Sequence, residues 1–185
     1  MTEKELDALY RALPPRPLDA ARVDSLNVRP GPVGQREERD QIELDTARGA
    51  IGDRWERKTW LYLPDGRPDP RVQLALCNTS LLALMQRATG TQHHPGDTIF
   101  TNLALSATKL PAGSRLRVGT AIIEISDVEN DACAKFAAHY GDVIFNWIRR
   151  PDNRSLRLRG AFARVVTAGI IRLGDVIERV VTPPS

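Results

Sequence analysis

Cysteine is scarce: Cys77 and Cys133 are the only two in 185 residues. Two cysteines cannot form a disulfide framework, and in a reducing compartment both are free thiols. Aromatic residues make up 5% of the chain, which leaves few stacking platforms for single-stranded nucleic acid and argues against that partner. No apolar run reaches membrane-spanning length, so no membrane insertion is expected. The first 13 residues alternate charge with leucine and lack the basic start and apolar centre of a secretory leader; the expected location is the cytoplasm. Histidines are few as well. His93 and His94 are adjacent, so on an extended segment they point to opposite sides, and with no third ligand at a recognisable spacing they do not predict a metal site.

The net charge of +3 arises from 26 Lys and Arg against 23 Asp and Glu. Such a balance excludes a polybasic tail and leaves an anionic small-molecule ligand open. The length suits one domain with one main core.

Thr2 and Glu5 form a capping-box pattern, and Leu6, Leu9, Tyr10 and Leu13 share one helical face, so a short amphipathic helix is expected until Pro14, Pro15 and Pro17. Arg22–Val28 and Gln41–Leu44 read as strands. The stretch Arg48 to Trp55 reads as a glycine-punctuated loop whose cations, Arg54 first, are candidates for clamping a phosphate or carboxylate. Val72–Cys77 is an apolar strand in which Cys77 is a buried hydrophobe. Asn78 and Ser80 then cap a helix carrying Leu81, Leu84 and Met85 and ending at Gly90; its N-terminus is a candidate anion site.

Period-two alternation is strongest in the second half. Thr98–Leu105 reads as a strand, and Arg115–Val118, Gly119-Thr120 and Ala121–Ile125 read as a hairpin. Leu156–Val166 reads as a strand bent at Gly160. Arg172–Ile177 repeats the hairpin pattern. Short strands, glycine corners and short helices predict a mainly β fold, a small barrel with a few peripheral helices. Residues 1–21 form its helical and Pro-rich lead-in, and residues 22–181 the barrel.

Between the hairpins lies the candidate catalytic residue. Cys133, Phe136, Ala137 and Tyr140 recur at helical spacing, Asp131 suits the N-cap, and Gly141 suits the C-cap before a second helix that starts at Asp142 and ends at Pro151. Cys133 then falls in a first turn, where the helix dipole and Lys135 favour a thiolate able to attack sulfur or bind a soft metal. The same spacing sets it beside Phe136 on an apolar face, so a core thiol is the competing reading. The cations Arg149, Arg150, Arg154, Arg157 and Arg159 follow, and read as a hydrated loop and strand face.

Six segments in order carry a family resemblance: Gly52-Asp53-Arg54-Trp55, Leu116 to Ile125, Cys133-Ala134-Lys135-Phe136, Leu156 to Gly160, Ala163 to Val166, and Ile171 to Asp175. Together they resemble the MOSC domain, named for the C-terminal domain of molybdenum cofactor sulfurases. The resemblance implies a β-barrel and one functional cysteine, Cys133. That residue either carries a persulfide or ligates the molybdenum of a pterin cofactor in a reductase of N-hydroxylated compounds. Asp53, Arg54, Asn78, Ser80, Lys135, Arg159 and Arg164 become candidate cofactor-binding residues. The chain departs from the reductase branch in lacking a His-Gly-Gly segment after Gly-Asp-Arg and in having Ala132 where a proline often precedes the cysteine. With no pyridoxal-phosphate site in the chain, sulfur would come from a partner cysteine desulfurase and pass to a molybdoenzyme partner. A phosphometabolite-binding or partner-binding barrel with no catalytic role is the remaining alternative.

Overall fold

The computed structural model describes residues 1–32 and 35–180; the expected domain end at Val181 lies outside the described residues. The chain opens with α1 (Glu3–Arg11), whose capping box closes as expected: the Thr2 hydroxyl accepts from the Glu5 backbone N–H and the Glu5 carboxylate accepts from the Thr2 N–H. There follow β1 (Ala21–Val28), β2 (Glu37–Arg39), β3 (Gln41–Asp45), β4 (Gly49–Ala50), β5 (Leu74–Asn78), α2 (Thr79–Thr89) and β6 (Ile99–Thr101). The second half holds β7 (Arg115–Val118), β8 (Ala121–Ile125), α3 (Ala134–Arg149), β9 (Ala161–Thr167), β10 (Gly169–Arg172) and β11 (Val176–Val180).

Seven strands close a barrel in the order β11-β7-β8-β9-β5-β6-β1, and the β1–β11 pairing, Ala21 opposite Ile177, completes the ring. Closure leaves no barrel edge with unpaired backbone groups. Every neighbour is antiparallel except β5 and β6. A parallel pair needs a crossover, and α2 with the loop after it supplies one. Sheet β10-β3-β4 lies beside the barrel, and its Ile42, Leu44, Ala50 and Ile171 join the barrel core. A second core forms where α1, α2 and α3 cover the outer wall, bringing Leu6, Cys77, Leu84, Met85, Phe100, Phe136, Tyr140 and Trp147 together. Thus α1 packs on its own chain: Trp147 Nε1 donates to Asp7 at 2.8 Å, and Arg150 donates to the same carboxylate.

Four local expectations change. The strand expected over Thr98–Leu105 pairs only over β6. The expected Leu156–Val166 strand begins five residues late, because Pro151–Leu156 winds into a 3-10 helix and Arg157 turns left-handed at φ 48°. Arg172–Ile177 is a corner and not a hairpin: its arms part, β10 joining β3 while β11 joins β7 and β1. The loop from Arg48 also carries β4 and a 3-10 turn, Arg54–Glu56.

Gly160 starts β9 for a steric reason. Its φ is 111°, and a Cβ there would stand 2.0 Å from the Leu76 carbonyl oxygen of β5. Only glycine combines that conformation with so close an approach. Gly160→Ala is expected to lose more than about 3 kcal/mol of stability, by combined overlap and strain. Urea unfolding of the full chain measures the loss.

Candidate functional site

The strand registers divide the candidate residues between the two ends of the barrel. Leu76 of β5 pairs Ile99 of the parallel β6 and Ala161 of the antiparallel β9, while Ile125 of β8 pairs Ala163. The end of β5, the loop after β6, the segment after β8 and the approach to β9 therefore share one rim. It carries Asn78, Ser80, residues 102–110, residues 126–133 and Arg157. The Gly52 to Trp55 turn sits at the other end, where the Arg54 N–H donates to the carbonyl of Arg29, just beyond β1. A five-residue strand spans about 17 Å. Arg54 and Asp53 thus do not meet Cys133.

At the rim, Cys133 is the N-cap of α3 and not a first-turn residue. Its backbone is extended and its side chain makes no capping bond. The buried stripe of α3 begins at Phe136 and continues through Tyr140, Ile144, Trp147 and Ile148, so Cys133 falls outside it and its thiol is exposed. The core thiol is Cys77, whose acidity burial suppresses. Gly141 leaves the helical region at φ 79° and ψ 162°, separating the two helical halves expected from the sequence.

Several candidate cofactor residues have structural duties. Asp53 is buried and accepts from Arg29 N, Nε and NH2 at 2.8–3.0 Å and from Trp55 N at 2.9 Å, pinning the turn to the end of β1. Asn78 caps α2 through Oδ1 and donates to Leu103 O at 2.8 Å. Arg164 pairs with Glu124 at 2.7 Å on the outer wall. Arg159 lies under α3, where its NH1 donates to both Asp97 oxygens at 2.8–2.9 Å and its guanidinium faces the Phe136 ring at 5.2 Å. Burial works to lower the Arg159 pKa, yet with the Asp97 carboxylate facing it the value is raised overall. Ser80, half-buried, and Lys135, exposed, remain at the rim with Cys133.

The arginine series likewise separates. Arg150 reaches Asp7 of α1, Arg157 donates to the Leu110 carbonyl at 2.7 Å, and Arg159 is buried, so the hydrated-face reading holds for Arg149 and Arg154 only. These last two border a cleft of about 390 Å³ between residues 127–131 and 149–158. Across it Arg149 meets Asp131 at 3.4 Å and Arg154 meets Glu129 at 4.0 Å. On its wall Asn130 Nδ2 is a buried donor with no partner among the described residues. The sequence reading missed this cleft. The acidic side chains at 127, 129 and 131 were its one local signal, and only the fold brings the arginines opposite them. A second cleft, of about 400 Å³, adjoins it at Ala112 and Asp127 and is bordered by Arg71 and Arg164, each paired to carboxylates.

The loop before β6 is anchored beside the cysteine-bearing helix. His93 stacks on His139 of α3 with ring centroids 3.5 Å apart, and Tyr140 donates to the His93 carbonyl at 2.7 Å. Burial lowers the pKa of His93 and brings that of His94, which lies against Phe100, to about 4. Among the described residues no group of three or more His, Cys, Asp or Glu side chains is arranged to hold a metal ion.

A closed barrel with short outer helices and a single exposed thiol at its rim defines the class. The MOSC domain family model matches residues 69–178, and the chain belongs to that family. Its structure is similar to the crystal structure of the YuaD protein from Bacillus subtilis, with TM-score 0.64 and 21% identity over 86% of this chain and 94% of that one. It is also similar to YiiM from Escherichia coli, with TM-score 0.58 and 18% identity over 93% of this chain and 73% of that one. YiiM from Geobacillus stearothermophilus gives TM-score 0.56 and 15% identity over 87% and 75%. No curated protein matches by sequence.

Two outcomes test this geometry. In the folded protein a disulfide reagent is expected to label one thiol rapidly and the second at least about a thousandfold more slowly, since Cys77 reacts only after opening of the core. Cys133→Ser should abolish the rapid phase in a stopped-flow thiol titration. Asp97→Ala, which leaves Arg159 buried and unpaired, should cost about 3–5 kcal/mol. The paired replacement Asp97→Leu with Arg159→Met should recover most of that in chemical denaturation.

Proposed function

We propose that this MOSC-domain protein is a sulfur carrier that holds sulfane sulfur as a persulfide on Cys133. The observation that carries the reading is the contrast between its thiols: Cys77 is sealed in the second core, whereas Cys133 is exposed at a helix N-terminus, inside the family-matched segment. The N–H groups of the first helical turn lack intrahelical acceptors and are donors available to a sulfur atom held on Cys133.

In the proposed step the Cys133 thiolate attacks the terminal sulfur of a donor persulfide. The donor S–S bond breaks, its electron pair leaves on the donor sulfur as thiolate, and a new S–S bond forms on Cys133. Release reverses the step toward an acceptor thiolate, which takes the outer sulfur as a new persulfide while Cys133 leaves as thiolate. No oxidant is consumed, because the oxidation level of the transferred sulfur is unchanged. A cysteine desulfurase is the proposed source and a molybdoenzyme the proposed recipient.

The family is associated with the molybdenum cofactor, and the donor set here tests whether this chain would keep one. A phosphate-bearing pterin needs cations around its anionic end. Arg54 is at the wrong end of the barrel, Arg159 is buried against Asp97, and Arg164 is paired with Glu124. Arg149 and Arg154 face Asp131 and Glu129. Those residues do not fit a resident pterin, and this favours carrier over reductase.

Incubation with a cysteine desulfurase and L-cysteine is expected to add one sulfur to Cys133 in most molecules, removable by dithiothreitol and absent from Cys133→Ser, as read by intact-protein mass spectrometry. An unmodified Cys133 under those conditions would sink the reading. So would stoichiometric molybdenum in protein from a cofactor-producing host that vanishes in Cys133→Ser.

A further inference from the structure

The cleft lined by the segment leading to Cys133 has two walls of opposite charge. Asp127, Glu129 and Asp131 stand on one side and Arg149 and Arg154 on the other, while the Arg157 guanidinium is held by the Leu105 and Leu110 carbonyls. Its floor includes the buried side chains of Ile148 and Leu158. The volume lies in the range of small-molecule sites.

The ion pairs across the opening are long and exposed, so they are weak and readily exchanged for a ligand's charges. A simple anion would meet the facing carboxylates, and a simple cation the guanidiniums of Arg149 and Arg154. A ligand bearing both charges, its carboxylate toward the arginines and its ammonium toward the acids, matches both walls. Asp131 is separated from Cys133 by the single residue Ala132, which itself has a φ of 67°.

We infer that this cleft binds a small zwitterion of the α-amino-acid class and that, on the carrier reading above, cysteine or its persulfide there exchanges sulfur with Cys133. In the charging direction Cys133 thiolate attacks the terminal sulfur of cysteine persulfide, the S–S bond breaks, and free cysteine departs as thiolate. Discharge to a bound cysteine thiolate is the same step reversed. The recognition depends on the amino acid's two charges, not on its sulfur.

The probe is S-methyl-L-cysteine, which cannot exchange sulfur, titrated into the isotope-labelled full chain and into Cys133→Ser while amide shifts are followed. Binding is expected in both, with shifts gathered at residues 127–131 and 149–158. Glu129→Gln and Arg154→Gln, both at exposed positions, should each weaken it about tenfold, the worth of one charge-assisted contact. The one-charge analogues 2-(methylthio)ethylamine and 3-(methylthio)propionate should bind at least about tenfold more weakly. Absent shifts at the cleft, or equal binding of a one-charge analogue, would overturn the inference. Because the probe carries no transferable sulfur, binding that persists in Cys133→Ser supports the cleft even if no persulfide forms on Cys133. Failure of the carrier reading is therefore separable.

Discussion

The buried ion pair of Arg159 and Asp97 is the constraint on which the cysteine-bearing rim depends. Two charges taken from water return their desolvation cost only when geometry and hydrogen bonding are good. Here one guanidinium nitrogen contacts both carboxylate oxygens, and the Phe136 ring covers the cation. The pair links the approach to β9 with the loop that leads into β6, and through Phe136 it reaches the first half of α3. Phe136 stacks on Tyr140, Tyr140 holds the His93 carbonyl, and His93 stacks on His139. The helix that begins at Cys133 is thus fixed to the barrel wall along its inner face, while its N-cap stays in solvent.

Much of this was legible locally. Capping boxes, the Asn78 cap, the glycine after α2 and the first hairpin are written in neighbouring residues, and each formed where its signals stand. The helix break at Gly141 was readable for the same reason. Pairing over long separations was not. Arg172 to Ile177 copies the first hairpin in composition, yet its two arms serve different sheets, because strands distant in the chain, β3 for one arm and β7 and β1 for the other, compete for them. The apparent strand at Leu156 failed because alternation alone does not record that Gly160 must clear a carbonyl of β5.

The candidate site was legible in part for the same physical reason. Cys133 stood out by its rarity and its place at a helix start, but a spacing of three residues to Phe136 could not separate a cap from a first turn. One residue of shift rotates a side chain about 100° around a helix, and that rotation moved the thiol from core to solvent. Arginine composition suggested an anion clamp, whereas the fold dispersed the cations among α1, the buried pair, the loop carbonyls and the cleft. Charge counting cannot foresee that three carboxylates will stand opposite those that remain.

The pairing of β1 with β11 sets the order in which the molecule can assemble. Ala21 finds Ile177 only after almost all the intervening chain is available. The ring therefore closes late, at the entropic cost of a very long loop: β2 covers Leu26–Val28 of the β1 edge early, but its Ala21 and Arg22 end waits for the last strand. Slow closure follows from topology alone, whatever chemistry the finished rim performs.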